Sequence, residues 1–182
     1  IRNAICFDIS HMSGSNMQGS AIWYSVNGPN KKMYRRYNLA SIKKSDDYAA
    51  MKFVLTRRLS KLKKENSLPE LIVLDGGKGQ ISQAREVIDE LEISNILLLS
   101  VVKGEKRQTK NDRILDIDAK DITLSLSNYS FTLLQKIRNE AHRYAINHHR
   151  NKRSKSLTNS ELNNVKGLGP VSYTHLTLPT KA

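Results

Sequence analysis

Two acids stand where a carboxylate is costly. Asp8 interrupts the apolar run Ala4-Ile-Cys-Phe-Asp-Ile9, and Asp75 closes the run Leu71-Ile-Val-Leu74. A carboxylate in a buried strand must be paired, hydrogen-bonded or bound to a cation. Placed on adjacent central strands, the two would come close enough to share a divalent ion. Mg2+ is hard and takes oxygen ligands, usually one or two carboxylates plus waters and the phosphate oxygens of a substrate. Taken singly, each acid is equally well explained as a strand cap or as the partner of a lysine. His142 falls in a helical stretch, at the edge of an apolar stripe and beside Arg138 and Ile146. A neutral imidazole there can bind metal or relay a proton. A lone helical histidine is more often an ordinary packing or surface residue.

Lys78 belongs to Gly76-Gly-Lys-Gly79, directly after the second apolar run. The glycines let backbone approach a phosphate closely, and Lys78 adds charge. The spacing is not that of the nucleotide-binding loop G-x-x-x-x-G-K-[ST], so no nucleotide site follows. A tight strand-to-helix turn with a solvated lysine is the competing reading. His11 can lie near Asp8 at the same strand end, and Asp46 and Asp47 read as acids that start a helix. Between Ala141 and Ser160 there is no acid, while Arg143, Arg150, Lys152, Arg153 and Lys155 are present alongside His148 and His149. Such a run is either a phosphate-facing surface or a solvated helix end.

The elements that must position these groups follow from periodicity. Ala4–Ile9, Ser20–Val26 and Lys32–Leu39 read as three strands. The last two are joined by Asn27-Gly-Pro-Asn30, whose Asn and Gly tolerate positive φ, which implies an antiparallel pair. Ser45 or Asp46 caps a helix with Tyr48, Met51, Leu55, Leu59 and Leu62 on its buried stripe. Lys52, Arg57, Arg58, Lys61, Lys63 and Lys64 are assigned to its other face. After the strand ending at Asp75, Ile81, Ala84, Val87, Ile88 and Leu91 mark a helix, and Ile96–Val102 another buried strand. A basic loop over 103–113 precedes a candidate hairpin of Arg113–Ile117 with Ile122–Leu126, the second better supported by alternation. A helix runs from about Phe131 to His149, with Leu134, Ile137, Ala141, Tyr144, Ala145 and His148 on one stripe. This order predicts an α/β fold of the ribonuclease H type, a mixed sheet with helices on both faces.

The 182 residues suit one domain plus a short extra piece. Lys and Arg number 30 against 17 Asp and Glu, and the formal charge of +13 favours a polyanionic partner, foremost nucleic acid. A merely soluble basic domain is the plainer alternative. The single cysteine, Cys6, excludes a disulfide framework and a cysteine-built zinc site. No apolar run approaches the roughly 20 residues of a membrane span. There is no signal peptide and the chain starts at Ile1, so the expectation is a fragment of a cytoplasmic protein.

Seven short stretches occur together in order: Cys6–His11, Tyr34–Asn38, Asp46–Met51, Asp75–Gln80, Val102–Gly104, Ile137–Arg143 and His149–Lys155. They resemble the C-terminal endonuclease region of the UvrC excinuclease family over about residues 2 to 170. The resemblance implies a ribonuclease H-like fold with an Asp-Asp-His triad, matched by Asp8, Asp75 and His142, that makes the 5′ incision at damaged double-stranded DNA in bacterial nucleotide excision repair. It implies a divalent cofactor, Mg2+ or Mn2+, held by the same three residues. Lys78, Arg143, Arg150, Lys152, Arg153 and Lys155 would bind the DNA backbone, with Asp47 and His11 in supporting places. The partners implied are UvrB, through an upstream region, and UvrA indirectly. The domain is expected over 1–156, followed by a linker and the truncated start of a helix-hairpin-helix domain over 157–170. Residues 171–182 depart from the family pattern and read as non-native sequence. A non-catalytic nucleic-acid-binding module of the same shape is the alternative. A transposase or resolvase relative would carry a carboxylate where His142 stands.

Overall fold

Apolar residues that alternate between two covered faces make the long strand β1 (Asn3–His11), of which Ala4 to Asp8 are all buried. The computed structural model describes residues 1–11, 17–42, 46–104 and 112–158, without the side chains of 147–158. Antiparallel to β1 lies β2 (Met17–Ser25). Two short strands follow, β3 (Gly28–Pro29) and β4 (Arg35–Asn38), and both pair with β2. Gly28 takes a φ of 95°, which the turn requires and which glycine adopts without strain. The single strand expected over Lys32–Leu39 is divided. Lys31–Met33 wind into a 3-10 turn closed by Met33 N–H to Asn30 O and Tyr34 N–H to Lys31 O, and β4 begins after it.

Helix α1 (Asp47–Lys64) starts at Asp46, whose carboxylate accepts the Ala49 N–H at 2.9 Å. Met51, Val54, Leu55, Leu59 and Leu62 bury its inner stripe. Two expectations for this helix fail. Tyr48 is exposed, its ring lying against Gly79 in the first turn of the next helix rather than in the core. Arg58 is 2% exposed rather than on the solvent face, and donates to Met33 O at 2.9 Å. Its long stem fills the core while the guanidinium reaches a carbonyl.

β5 (Leu71–Asp75), α2 (Lys78–Glu90) and β6 (Leu97–Val102) form a strand–helix–strand unit, with β5 parallel to both β1 and β6. β7 (Arg113–Leu115) returns antiparallel to β6. The hairpin after it does not form. Thr123–Ser125 is a 3-10 turn, and only a bridge joins Leu115 to Asp121. The Asp121 carboxylate takes the Thr123 N–H and hydroxyl, and Thr123 Oγ1 accepts the Ile114 N–H, so side chains satisfy groups a second strand would have used. Last comes α3 (Asn128–Thr158). Residues Ile1–Ile146 form one compact unit, and Asn147–Ala182 a second.

The seven-stranded sheet has the order β3-β2-β1-β5-β6-β7, with β4 also on β2. Residue parity assigns its faces. Gly19, the register partner of Ile9, lies against Val54 of α1, so odd-numbered β1 residues face α1. Cys6 and Asp8 face the opposite side, covered by α3 through buried Leu134, Ile137, Ala141 and Ala145. The mixed sheet therefore has helices on both faces.

Candidate metal centre

Asp8 and Asp75 meet because of strand register. β1 and β5 run parallel with Phe7 beside Leu74, so one step further sets Asp8 beside Asp75 on the α3 side of the sheet. α3 crosses that side with its alanines and leucine inward and brings His142 along one flank. One ligand atom from each of Asp8, Asp75 and His142 lies within 4.8 Å of the other two. Asp8 is 4% exposed, Asp75 half-buried and His142 exposed, so the site opens from the core toward solvent.

The electrostatics favour a cation. Asp8 Oδ2 is buried without a hydrogen-bond partner. Burial pushes the Asp8 carboxyl up to about 6, the Asp75 charge and a hydrogen bond with Asp75 add to the rise, and Lys103 opposes it. Burial and the same two carboxylates also push the Cys6 thiol well up, which leaves it inert as a ligand. Two hard carboxylates, one orphaned oxygen and one imidazole nitrogen fit Mg2+ or Mn2+.

Neighbouring contacts hold this end of the sheet in place. The Ser100 hydroxyl donates to Leu74 O at 3.3 Å and also to Gly76 O, which fixes the chain as it leaves β5. The Gln80 side chain lies over Gly76, where a Cβ would overlap it. Gly77 caps α2, and Lys78 stands exposed in the first turn of that helix rather than in a loop. His11 Nε2 and Asp47 Oδ1 are 2.8 Å apart and tie the end of β1 to the start of α1. On the α3 side, Arg138 Nη1 and Asp112 Oδ2 form a buried ion pair at 2.9 Å. Asp112 also accepts from Gln135 Nε2 at 3.0 Å and from Gly104 N–H at 3.4 Å.

The residues singled out from sequence are thus divided. Asp8, Asp75 and His142 converge, His11 joins Asp47, and Lys78 stands on the turn that follows Asp75. Arg143 is turned to Glu140, with Nη2 to Oε1 at 2.6 Å, and Glu140 also accepts from the Tyr34 hydroxyl. The side chains of Arg150, Lys152, Arg153 and Lys155, and residues 159–182 altogether, lie outside the described residues. The basic row of α1 is largely engaged elsewhere. Lys52 binds Glu86 and Glu90, Lys61 pairs with Glu65, and Lys63 donates to Leu91 O. Sequence reasoning missed the Asp112–Arg138 pair, and gave Lys103 no role although it lies in the matched stretch Val102–Gly104. The signal open to it was a lone acid, Asp112, at the end of a basic loop, and an arginine one turn before His142.

A mixed sheet with carboxylates on adjacent strands, faced by a histidine from the covering helix, defines a nuclease of the ribonuclease H-like class. Residues 1–146 match the family model described as the UvrC RNAse H endonuclease domain. The chain belongs to that family. It is 43% identical over 166 residues to the UvrABC system protein C of Saccharophagus degradans, covering 91% of this chain and 27% of the relative. Against the protein of the same description from Pseudomonas protegens it is 46% identical over 167 residues, covering 91% and 28%. The chain therefore spans little more than a quarter of these curated relatives. Among solved structures, human ENDOV aligns with 57% of this chain and 46% of its own, at 14% identity and a TM-score of 0.41. Marinitoga piezophila Argonaute with a 5′ OH guide RNA aligns with 57% of this chain and 17% of its own, at 17% identity and a TM-score of 0.36.

Proposed function

We propose that this chain is a divalent-metal-dependent endodeoxyribonuclease region that makes the 5′ incision at damaged double-stranded DNA in bacterial nucleotide excision repair. The observation that carries the reading is the convergence of Asp8, Asp75 and His142. Asp8, Asp75 and His142 would hold Mg2+ or Mn2+, which when bound neutralises charge at the reacting phosphodiester and makes water easier to deprotonate. The oxygen of water forms a bond to phosphorus, and the bond to O3′ breaks with its electron pair on that oxygen. A 5′-phosphate and a 3′-hydroxyl result once a proton reaches O3′. His142, at the open rim, orients the attacking water. Lys78 and the free N–H groups of the first turn of α2 bind a phosphate oxygen. Arg143, Arg150, Lys152, Arg153 and Lys155 hold the backbone without reading sequence, and His11 with Asp47 supports the end of β1.

The UvrABC naming of the relatives supports DNA as substrate and UvrB as a partner, through a region upstream of this one, with UvrA a partner indirectly. A cytoplasmic place goes with this reading. No described helix is long and apolar enough to cross a membrane. We retain 1–156 as the nuclease domain, 157–170 as the lead into a helix-hairpin-helix domain, and 171–182 as sequence foreign to it.

The test uses the full-length protein with its partners on a lesion-bearing duplex. Asp8→Asn and Asp75→Asn should each abolish the 5′ cut, spare the 3′ cut and lose Mn2+ binding in calorimetry. A 5′ cut at the wild-type rate in both variants would overturn the assignment. DNA binding without metal binding or cleavage in the unsubstituted protein would favour the non-catalytic module.

A further inference from the structure

Lys103 directly follows β6. Asp75 of β5 sits beside Val101 of β6, so Lys103, two residues on, leaves the sheet on the same side as the carboxylates and beyond them. It is exposed, and among the described residues it closes no ion pair. Its charge is nonetheless felt at Asp8.

The backbone that carries it is anchored from below. Gly104 N–H donates to Asp112, which is 4% exposed and paired with Arg138, 5% exposed. Arg138 precedes His142 by one helical turn. One buried ion pair thereby fixes both the exit of β6 and the segment of α3 that presents the histidine. Breaking a buried, fully paired bond of this kind by removing one partner leaves an uncompensated charge, so the pair resists displacement of the segments it joins.

Resting on the nuclease reading above, we propose that Lys103 is a further catalytic residue, its ammonium contacting a non-bridging oxygen of the scissile phosphate. Asp112 and Arg138 are its positioning pair. Lys103 lies beyond Asp75, in line with β6, whereas Lys78 stands at the start of α2. The two lysines thus approach the phosphate from different elements. Negative charge on the phosphoryl oxygens is stabilised most in the transition state, so Lys103 acts on the rate of the bond-breaking step more than on DNA affinity.

The experiment compares Lys103→Ala and Lys103→Arg with the unsubstituted full-length protein and its partners, in single-turnover 5′ incision. Lys103→Ala should slow the 5′ cut by about 10²-fold, with Lys103→Arg recovering part of the loss. The 3′ cut should stay intact, which reports correct assembly. Mn2+ affinity by calorimetry should stay the same or tighten, because a positive charge near Asp8 has been removed. Asp112→Asn, which loosens both the exit of β6 and the α3 segment that presents His142, should slow the same cut even at saturating Mn2+. A full 5′ rate in Lys103→Ala overturns the proposal, and so does a loss matched by weaker Mn2+ binding. Asp8→Asn run alongside separates the two readings. If it still cuts, the nuclease assignment falls. If it is inert while Lys103→Ala is fully active, only the role of Lys103 falls.

Discussion

Asp8 destabilises the metal-free fold near neutrality. Its carboxyl is pushed from the ordinary 3.8 up to about 6, chiefly by burial and then by Asp75. Below pH 4 both folded and unfolded chains carry the proton and no penalty exists. Between about 4 and 6 the unfolded chain releases it while the folded chain keeps it, so stability falls as pH rises. Above about 6 the loss is complete, at roughly 3 kcal/mol. Asp8→Asn should therefore be more stable than the unsubstituted protein at pH 7 by on the order of 1–3 kcal/mol, and should lose that advantage at pH 4. Urea unfolding midpoints at the two pH values check it, and equal midpoints for both proteins throughout would refute it. Mn2+ should close the gap at pH 7 by binding the protein that keeps the Asp8 carboxylate and not the Asn variant. The acids were legible in the sequence because each broke an apolar run where a charge is anomalous. Arg138 and Asp112 were not, since their burial depends on a pairing across 26 positions that no local pattern encodes.

β1, β2, β5, β6 and all three helices follow from local periodicity, because each has one or two faces that must be covered. The short elements do not. The Thr123 turn and the 3-10 turn at Lys31–Met33 are decided by side-chain and i to i+3 hydrogen bonds, which alternation does not register. Arg58 misleads for a related reason, as its place among basic residues gives no hint of the Met33 carbonyl that receives it. The contact of β2 with α1 is narrow. A Cβ on Gly19 would lie 2.5 Å from Val54 Cγ2 and 3.3 Å from Ile9 Cδ1, both inside the packed layer. Gly19→Ala should cost about 1–3 kcal/mol, read as a lower urea midpoint with an unchanged slope. Val54→Ala in the same chain should recover part of that loss, and no recovery would mean the strain lies elsewhere.

At the scale of the whole molecule, charge is unevenly available. Glu86 and Glu90 of α2 hold Lys52 of α1 and Glu65 holds Lys61, while among the described residues Lys78 and Lys103 at the sheet end close no salt bridge. The net charge of +13 should make DNA affinity fall steeply and linearly in log–log form with salt. Lys78→Ala should flatten that slope by about one, whereas Lys52→Ala should leave it unaltered. Fluorescence anisotropy across a salt series distinguishes the two, and identical slopes would place the phosphates elsewhere. Cys6 adds a consequence of a different kind. It is the chain's only sulfhydryl and is fully enclosed two residues before Asp8. Any thiol-reactive dye must wait for the centre of the sheet to part. Labelling kinetics would therefore clock the breathing of the layer beneath the carboxylates, against a silent background and with no engineered probe.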